Sequence, residues 1–91
     1  MLTYVVEFLG TFLFLSVVIA TGKPILIALA LLLVILLGGG VSGGHFNPAI
    51  SIMFWANGAL SGIDLTGYIV AQTLGGLGAF AVYNAMRTKL I

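Results

Sequence analysis

Asn47, inside the stretch SGGHFNPAIS (residues 42–51), is the side chain best placed to meet a small polar molecule. An asparagine followed at once by proline reads as a helix N-cap with Pro48 in the first turn, where its missing N–H is harmless. Such a terminus presents unpaired N–H groups and about half a positive charge. Upstream, Gly43 and Gly44 permit unusual dihedrals and close backbone approach, so GGHF can enter a membrane as an extended loop. Its carbonyls must then turn toward something polar. A ladder of acceptors ending at an amide donor on a positive dipole suits a small neutral polar molecule. It opposes a cation at the narrowest point.

Three further polar residues can do chemistry. Glu7 lies in the first apolar run, where a carboxyl is expensive and faces the bundle interior. It is either a proton relay or a bracket accepting hydrogen bonds from the buried loop. The bracket is the expectation, because no second acid lies in any span to receive a proton. His45 stands without Cys, Asp or Glu beside it, which argues for a hydrogen-bonded loop anchor over a metal ligand. Gln72, in the middle of the last apolar run, reads as another anchor. No acid pair, no nucleophile with a base and no phosphate loop is present, so the expectation is no enzyme, no metal and no cofactor.

The elements that must position these residues follow from composition. The chain has 91 residues, 62% hydrophobic and 5% charged. Soluble domains carry about 25% charged residues, so this chain lacks the polar groups to cover a globule. The class is a multi-pass integral membrane protein of one domain, with the bilayer as its solvent. A net charge of +1 gives no reason to expect nucleic acid, and without cysteine disulfides are excluded.

Apolar runs place the spans at about residues 2–21, 24–41 and 65–86, each near one hydrocarbon thickness. A cleavable signal peptide competes for residues 1–22. However, no Lys or Arg precedes Lys23, Glu7 interrupts the run, and no clear cleavage site follows. In the third run Gly67, Ala71, Gly75 and Ala79 form a small-residue seam, which means a close helical neighbour. Between the second and third spans, Pro48 to Ala56 makes a helix of roughly 15 Å, half a bilayer. Residues 42–57 therefore read as a re-entrant loop and half-helix. Irregular backbone survives at that depth only when buried in protein or lining a watery cavity.

With these residues in view, the chain resembles the aquaporins and glycerol facilitators, the major intrinsic proteins. SGGHFNPAIS is similar to that family's first signature loop, with the NPA triplet at Asn47, Pro48 and Ala49. EFLGTFLF from Glu7 and YIVAQTLGG from Tyr68 match its first and third spans in register. The resemblance implies an all-α membrane fold with three transmembrane helices and one re-entrant half-helix. That is half of an inverted-repeat channel.

The implied function is passive passage of water or small neutral solutes such as glycerol. The resemblance gives the Asn47–Ala49 triplet solute binding at the midpoint, and the carbonyls of Gly43, Gly44 and His45 the acceptor ladder. Ile27 and Phe14 match pore-lining positions. Ile50 stands where the family's second half normally has a filter arginine, so the constriction is expected to be less polar. One half cannot enclose a pore, so the implied partner is a second copy inserted the opposite way, with the half-helices meeting at mid-membrane. Four such pores gathered together make about eight chains.

Lys23, Arg87 and Lys89 fall on one side of the membrane and no Lys or Arg on the other. The positive-inside rule favours one orientation, opposite to that of the family's first half. Two other readings are a non-conducting half that needs a different partner, and a small multidrug-type membrane protein without channel activity.

Overall fold

The structure, a computed structural model, describes residues 1–90, with side chains to Thr88. Four helices follow one another: α1 (Leu2–Thr21), α2 (Pro24–Ser42), α3 (Pro48–Ala56) and α4 (Gly62–Leu90). Among the described residues three helices, α1, α2 and most of α4, are long and apolar enough to cross a membrane. The protein is an integral membrane protein, all-helical.

Local chemistry sets the helix ends. Gly22 takes φ 62° and closes α1 with its N–H on the Val18 carbonyl. Pro24 then starts α2 at its first turn. Asn57 and Gly58 end α3. The Gly58 φ of 86° lets the Ala59 N–H reach the Phe54 carbonyl at 2.9 Å, a Schellman closure.

The last helix begins one turn before the expected residue 65. Asp64 N–H donates to Ser61 Oγ at 3.0 Å and Leu65 N–H to the Ser61 carbonyl at 2.8 Å, so Ser61 is the N-cap. Asp64 adds an acid to the positive end of the first turn. Its carboxylate also accepts from the Tyr4 hydroxyl at 2.6 Å, which fastens the start of α4 to the start of α1.

Packing places α1 at the centre, with α2 antiparallel on one side and α4 parallel on the other, while α3 leans on α4. The α2 contact is a stripe of every fourth residue, Ala30, Val34, Gly38 and Ser42, all buried. The small-residue seam of α4 faces α1. A methyl on Gly75 would sit 2.8 Å from the Phe8 carbonyl oxygen and 3.1 Å from the Phe12 nitrogen, so the two backbones touch there.

Since neither backbone can yield, Gly75→Ala is expected to destabilise the bundle by about 1–3 kcal/mol, as overpacked sites do. Gly40→Ala, whose methyl meets open space, is the matched control and is expected to be tolerated. Thermal unfolding of both variants in detergent micelles checks the contrast. The four elements form a slab 47 × 23 × 20 Å with many large apolar side chains exposed on its surface.

Candidate functional site

The Glu7 carboxylate is the hub of the re-entrant segment and is fully buried. Its Oε2 accepts from Ser42 Oγ at 2.7 Å and from the His45 N–H at 3.0 Å. Its Oε1 accepts from the Phe46 N–H at 2.8 Å and from Gln72 Nε2 at 2.9 Å. Four donors from α2, the loop and α4 thus converge on one side chain of α1. In a low-dielectric interior each such charge-assisted bond is stronger than a neutral one.

Around that hub the loop is tied at both ends. Gly43 closes α2 through its N–H to the Gly39 carbonyl at 2.9 Å, and Gly44 N–H reaches Ser42 Oγ at 3.2 Å. The His45 ring meets Ser51 Oγ through Nδ1 at 2.9 Å and stacks on Phe54 at 4.8 Å. Gln72 Nε2 donates to the same Ser51 hydroxyl oxygen at 2.9 Å, so α3 and α4 share one anchor. Tyr68 hydroxyl donates to the Ser42 carbonyl and completes the frame.

The loop is not the extended strand expected from GGHF. Gly43, Gly44 and Phe46 take φ 90°, 67° and 54°, all left-handed. The reason lies in the hub: turning two consecutive N–H groups, His45 and Phe46, onto one carboxylate requires a curled backbone. For a bulky residue such a φ is rare and must be held by its surroundings. Phe46 is held by packing, being buried against Gly10 and Gly38.

The carbonyls of Gly43, Gly44 and His45 accept no hydrogen bond among the described residues. Asn47 caps α3 by accepting the Ala49 N–H on Oδ1 at 2.8 Å. No acceptor among the described residues takes its Nδ2 hydrogens. Asn47, Pro48 and Ala49 are exposed on the open face of the slab, and Ile50, next along the half-helix, is half-buried.

A groove of about 490 Å³ runs along that face between α1 and α4. Phe14 and Leu15 form one wall, Thr73, Gly76 and Leu77 the other, and Phe46, Asn47 and Pro48 close one end. Phe14 and Asn47 therefore share one groove. Ile27, half-buried on the first turn of α2, does not line it. Fifteen residues of α2 separate it from Ser42, about 22 Å of helix, so a single chain does not bring Ile27 to its own half-helix.

Several working residues escaped the sequence reading. Ser42 and Ser51 act as couplers of the hub, and Phe46 as a wedge. Thr73, Gly76 and Leu77 face the groove. The one available signal was glycine in the middle of apolar runs, at Gly10 and Gly38, which points to a large side chain seated there.

The family described as MIP, Major intrinsic protein, matches residues 1–90. The chain is 40% identical to Glycerol uptake facilitator protein-like 6 of Lactiplantibacillus plantarum, over 96% of this chain and 44% of that protein. It is 38% identical to Aquaporin Z of Photorhabdus laumondii, over 84% of this chain and 39% of that protein. A shorter stretch, 48% of this chain, is 52% identical to Aquaporin Z of Brucella melitensis. The chain thus spans less than half the length of these relatives. No solved structure matches it.

Proposed function

Because the chain belongs to the major intrinsic protein family, we propose that it forms half of a passive channel for water and small neutral solutes such as glycerol. The observation that carries this reading is Asn47, exposed in the α1–α4 groove at the N-terminus of α3. Three carbonyls without partners (Gly43, Gly44, His45) lead to Asn47 Nδ2 at the positive end of α3. A water or a hydroxyl accepts from Asn47 and donates to the carbonyls in turn. The α3 dipole repels cations at that point. Phe14, Leu15 and Leu77 supply apolar walls, so few solute hydroxyls find a rival partner.

The groove is open along its length and needs a second three-span half to close it. A second copy inserted the opposite way supplies one. Two half-helices then meet at mid-membrane, and Ile27 of one copy comes to the end of the pore where Ile50 of the other stands. Both constrictions are then apolar and free of arginine, which favours neutral solutes with carbon skeletons beside water. Gathered by fours, such pores make about eight chains.

One observation favours a different partner. Lys23 follows α1 while Arg87 closes the parallel α4, so both cations lie at the same end of the slab. That bias favours a single orientation. A half with the reverse bias would then complete the pore. A tag on one terminus, probed from each side of the membrane, separates these readings. Labelling from both sides supports the two-way homodimer; labelling from one side assigns the pore to an unlike pair.

Conduction is tested by stopped-flow swelling of proteoliposomes. Water or glycerol permeability several-fold above empty vesicles is expected, and permeability equal to theirs for both solutes removes the homomeric channel. In the same vesicles Asn47→Asp places a carboxylate at the midpoint. A unit charge at 4 Å contributes about 4 kcal/mol at an effective dielectric of 20. A rise in cation leak of at least about tenfold, equivalent to about 1.4 kcal/mol, is therefore the conservative expectation. An unchanged leak means that Asn47 does not face the path.

A further inference from the structure

Thr11 and Gln72 present a feature that neither the Glu7 hub nor the proposed path uses. Both are almost completely buried, at 1% and 2% exposure, and both belong to the wall of the Asn47 groove. Thr11 Oγ1 and Gln72 Oε1 nevertheless have no hydrogen-bond partner among the described residues.

The two groups lie about one helical turn apart along the α1–α4 seam, a span that one water bridges. Thr11 is one turn along α1 from Glu7, whose Oε1 receives Gln72 Nε2. Gly75, one turn beyond Gln72, brings the α4 backbone close to Thr11, whose Cβ lies 3.1 Å from where a Gly75 methyl would stand. The amide of Gln72 cannot rotate to satisfy itself. Its Nε2 is fixed by Glu7 at 2.9 Å and Ser51 at 2.9 Å, which directs Oε1 away from both.

Buried polar atoms in this state are rare, and in a bilayer no bulk solvent relieves them. We infer that Thr11 Oγ1 and Gln72 Oε1 together hold a resident water molecule in the groove wall. The water donates one hydrogen to Gln72 Oε1 and accepts from, or donates to, the Thr11 hydroxyl. Two protein partners meet the lower end of what a buried water needs, two to four polar neighbours. This water is a fixed part of the fold and not a member of the moving file. It extends the Glu7 network one step along α1, and the inference stands whether or not the chain conducts.

Gln72 is the only glutamine in the chain, so selective ¹⁵N labelling of glutamine side chains gives one readable amide pair in lipid nanodiscs. A cross-relaxation peak between those protons and a long-lived water is expected in the unmodified protein. Thr11→Val, which keeps the shape and removes the hydroxyl, is expected to reduce that peak several-fold; Thr11→Ser is expected to retain it. Absence of the peak in the unmodified protein overturns the inference. So does equal intensity in Thr11→Val. If Thr11→Val fails to fold, the unmodified protein and Thr11→Ser still decide the matter: both must show the peak, and its absence from either is a refutation.

Discussion

Replacing Glu7 with leucine is expected to release the whole re-entrant segment. Leucine fits the volume but strands four donors at once, from Ser42, His45, Phe46 and Gln72. A stranded buried donor costs about 1–3 kcal/mol, so the loss is on the order of 4 kcal/mol or more. That is a large share of the roughly 5–15 kcal/mol that holds a typical domain. Glu7→Gln keeps the shape, yet it sets an NH₂ donor against two donors, and an intermediate loss is expected. Unfolding in mixed micelles gives the ranking, and hydrogen exchange at the His45 and Phe46 amides gives its place. Exchange at those two amides should accelerate in Glu7→Leu far more than exchange in the α1–α4 seam. A variant as stable as the parent would mean that the hub does not hold the loop.

The second large effect is expected at Gly10. A methyl there would lie 2.6 Å from Phe46 Cδ1 and 2.7 Å from Cζ, inside any tolerable contact. The ring must leave its slot in Gly10→Ala. With it goes the packing that holds Phe46 at φ 54°. Overpacking alone accounts for about 1–3 kcal/mol, and the burial lost by the displaced Phe46 ring adds to that. Because the clash is with one ring, the account predicts strong coupling between the two positions. Gly10→Ala combined with Phe46→Leu should be markedly less destabilised than the sum of the single variants, since residues in contact are not additive. Simple additivity in a double-mutant cycle of unfolding free energies contradicts the slot.

These two predictions show which parts of the molecule are legible in the sequence. The ends of α3 were, because Asn47, Pro48, Asn57 and Gly58 act on their own neighbourhood. The three apolar helices were, because their composition admits no other solvent than lipid. The start of α4 was placed a turn late. Ser61 and Asp64 form its cap, but they sit inside the turn-like run NGALSGID, whose glycines and serine hide it.

Long-range partners were the hardest to see. Gly67, Ala71, Gly75 and Ala79 announced a close neighbour without saying that it was α1. The local expectation of an extended GGHF failed because the curl is imposed by a carboxylate 38 residues away. Phe46, Ser42 and Ser51 gave no signal of their own, since each is defined by what it touches across the bundle. The family resemblance matched Phe14 to a pore-lining position, but the residues alone gave no reason for it; Phe14 and Asn47 share a groove because α1 and α4 run side by side.

The central claim is that the open face carrying Asn47 to Ala49 is wet, forming the wall of a file of uncharged molecules. These 91 residues contain no cysteine, so Ala49→Cys introduces a single thiol at the start of the half-helix. The measurement is osmotic water flow through Ala49→Cys proteoliposomes before and after a small, water-soluble thiol reagent. The account predicts that the reagent reacts from the aqueous phase and that water flow falls toward the level of empty vesicles. A thiol that stays unreactive, or one fully modified while water flow is unchanged, contradicts it.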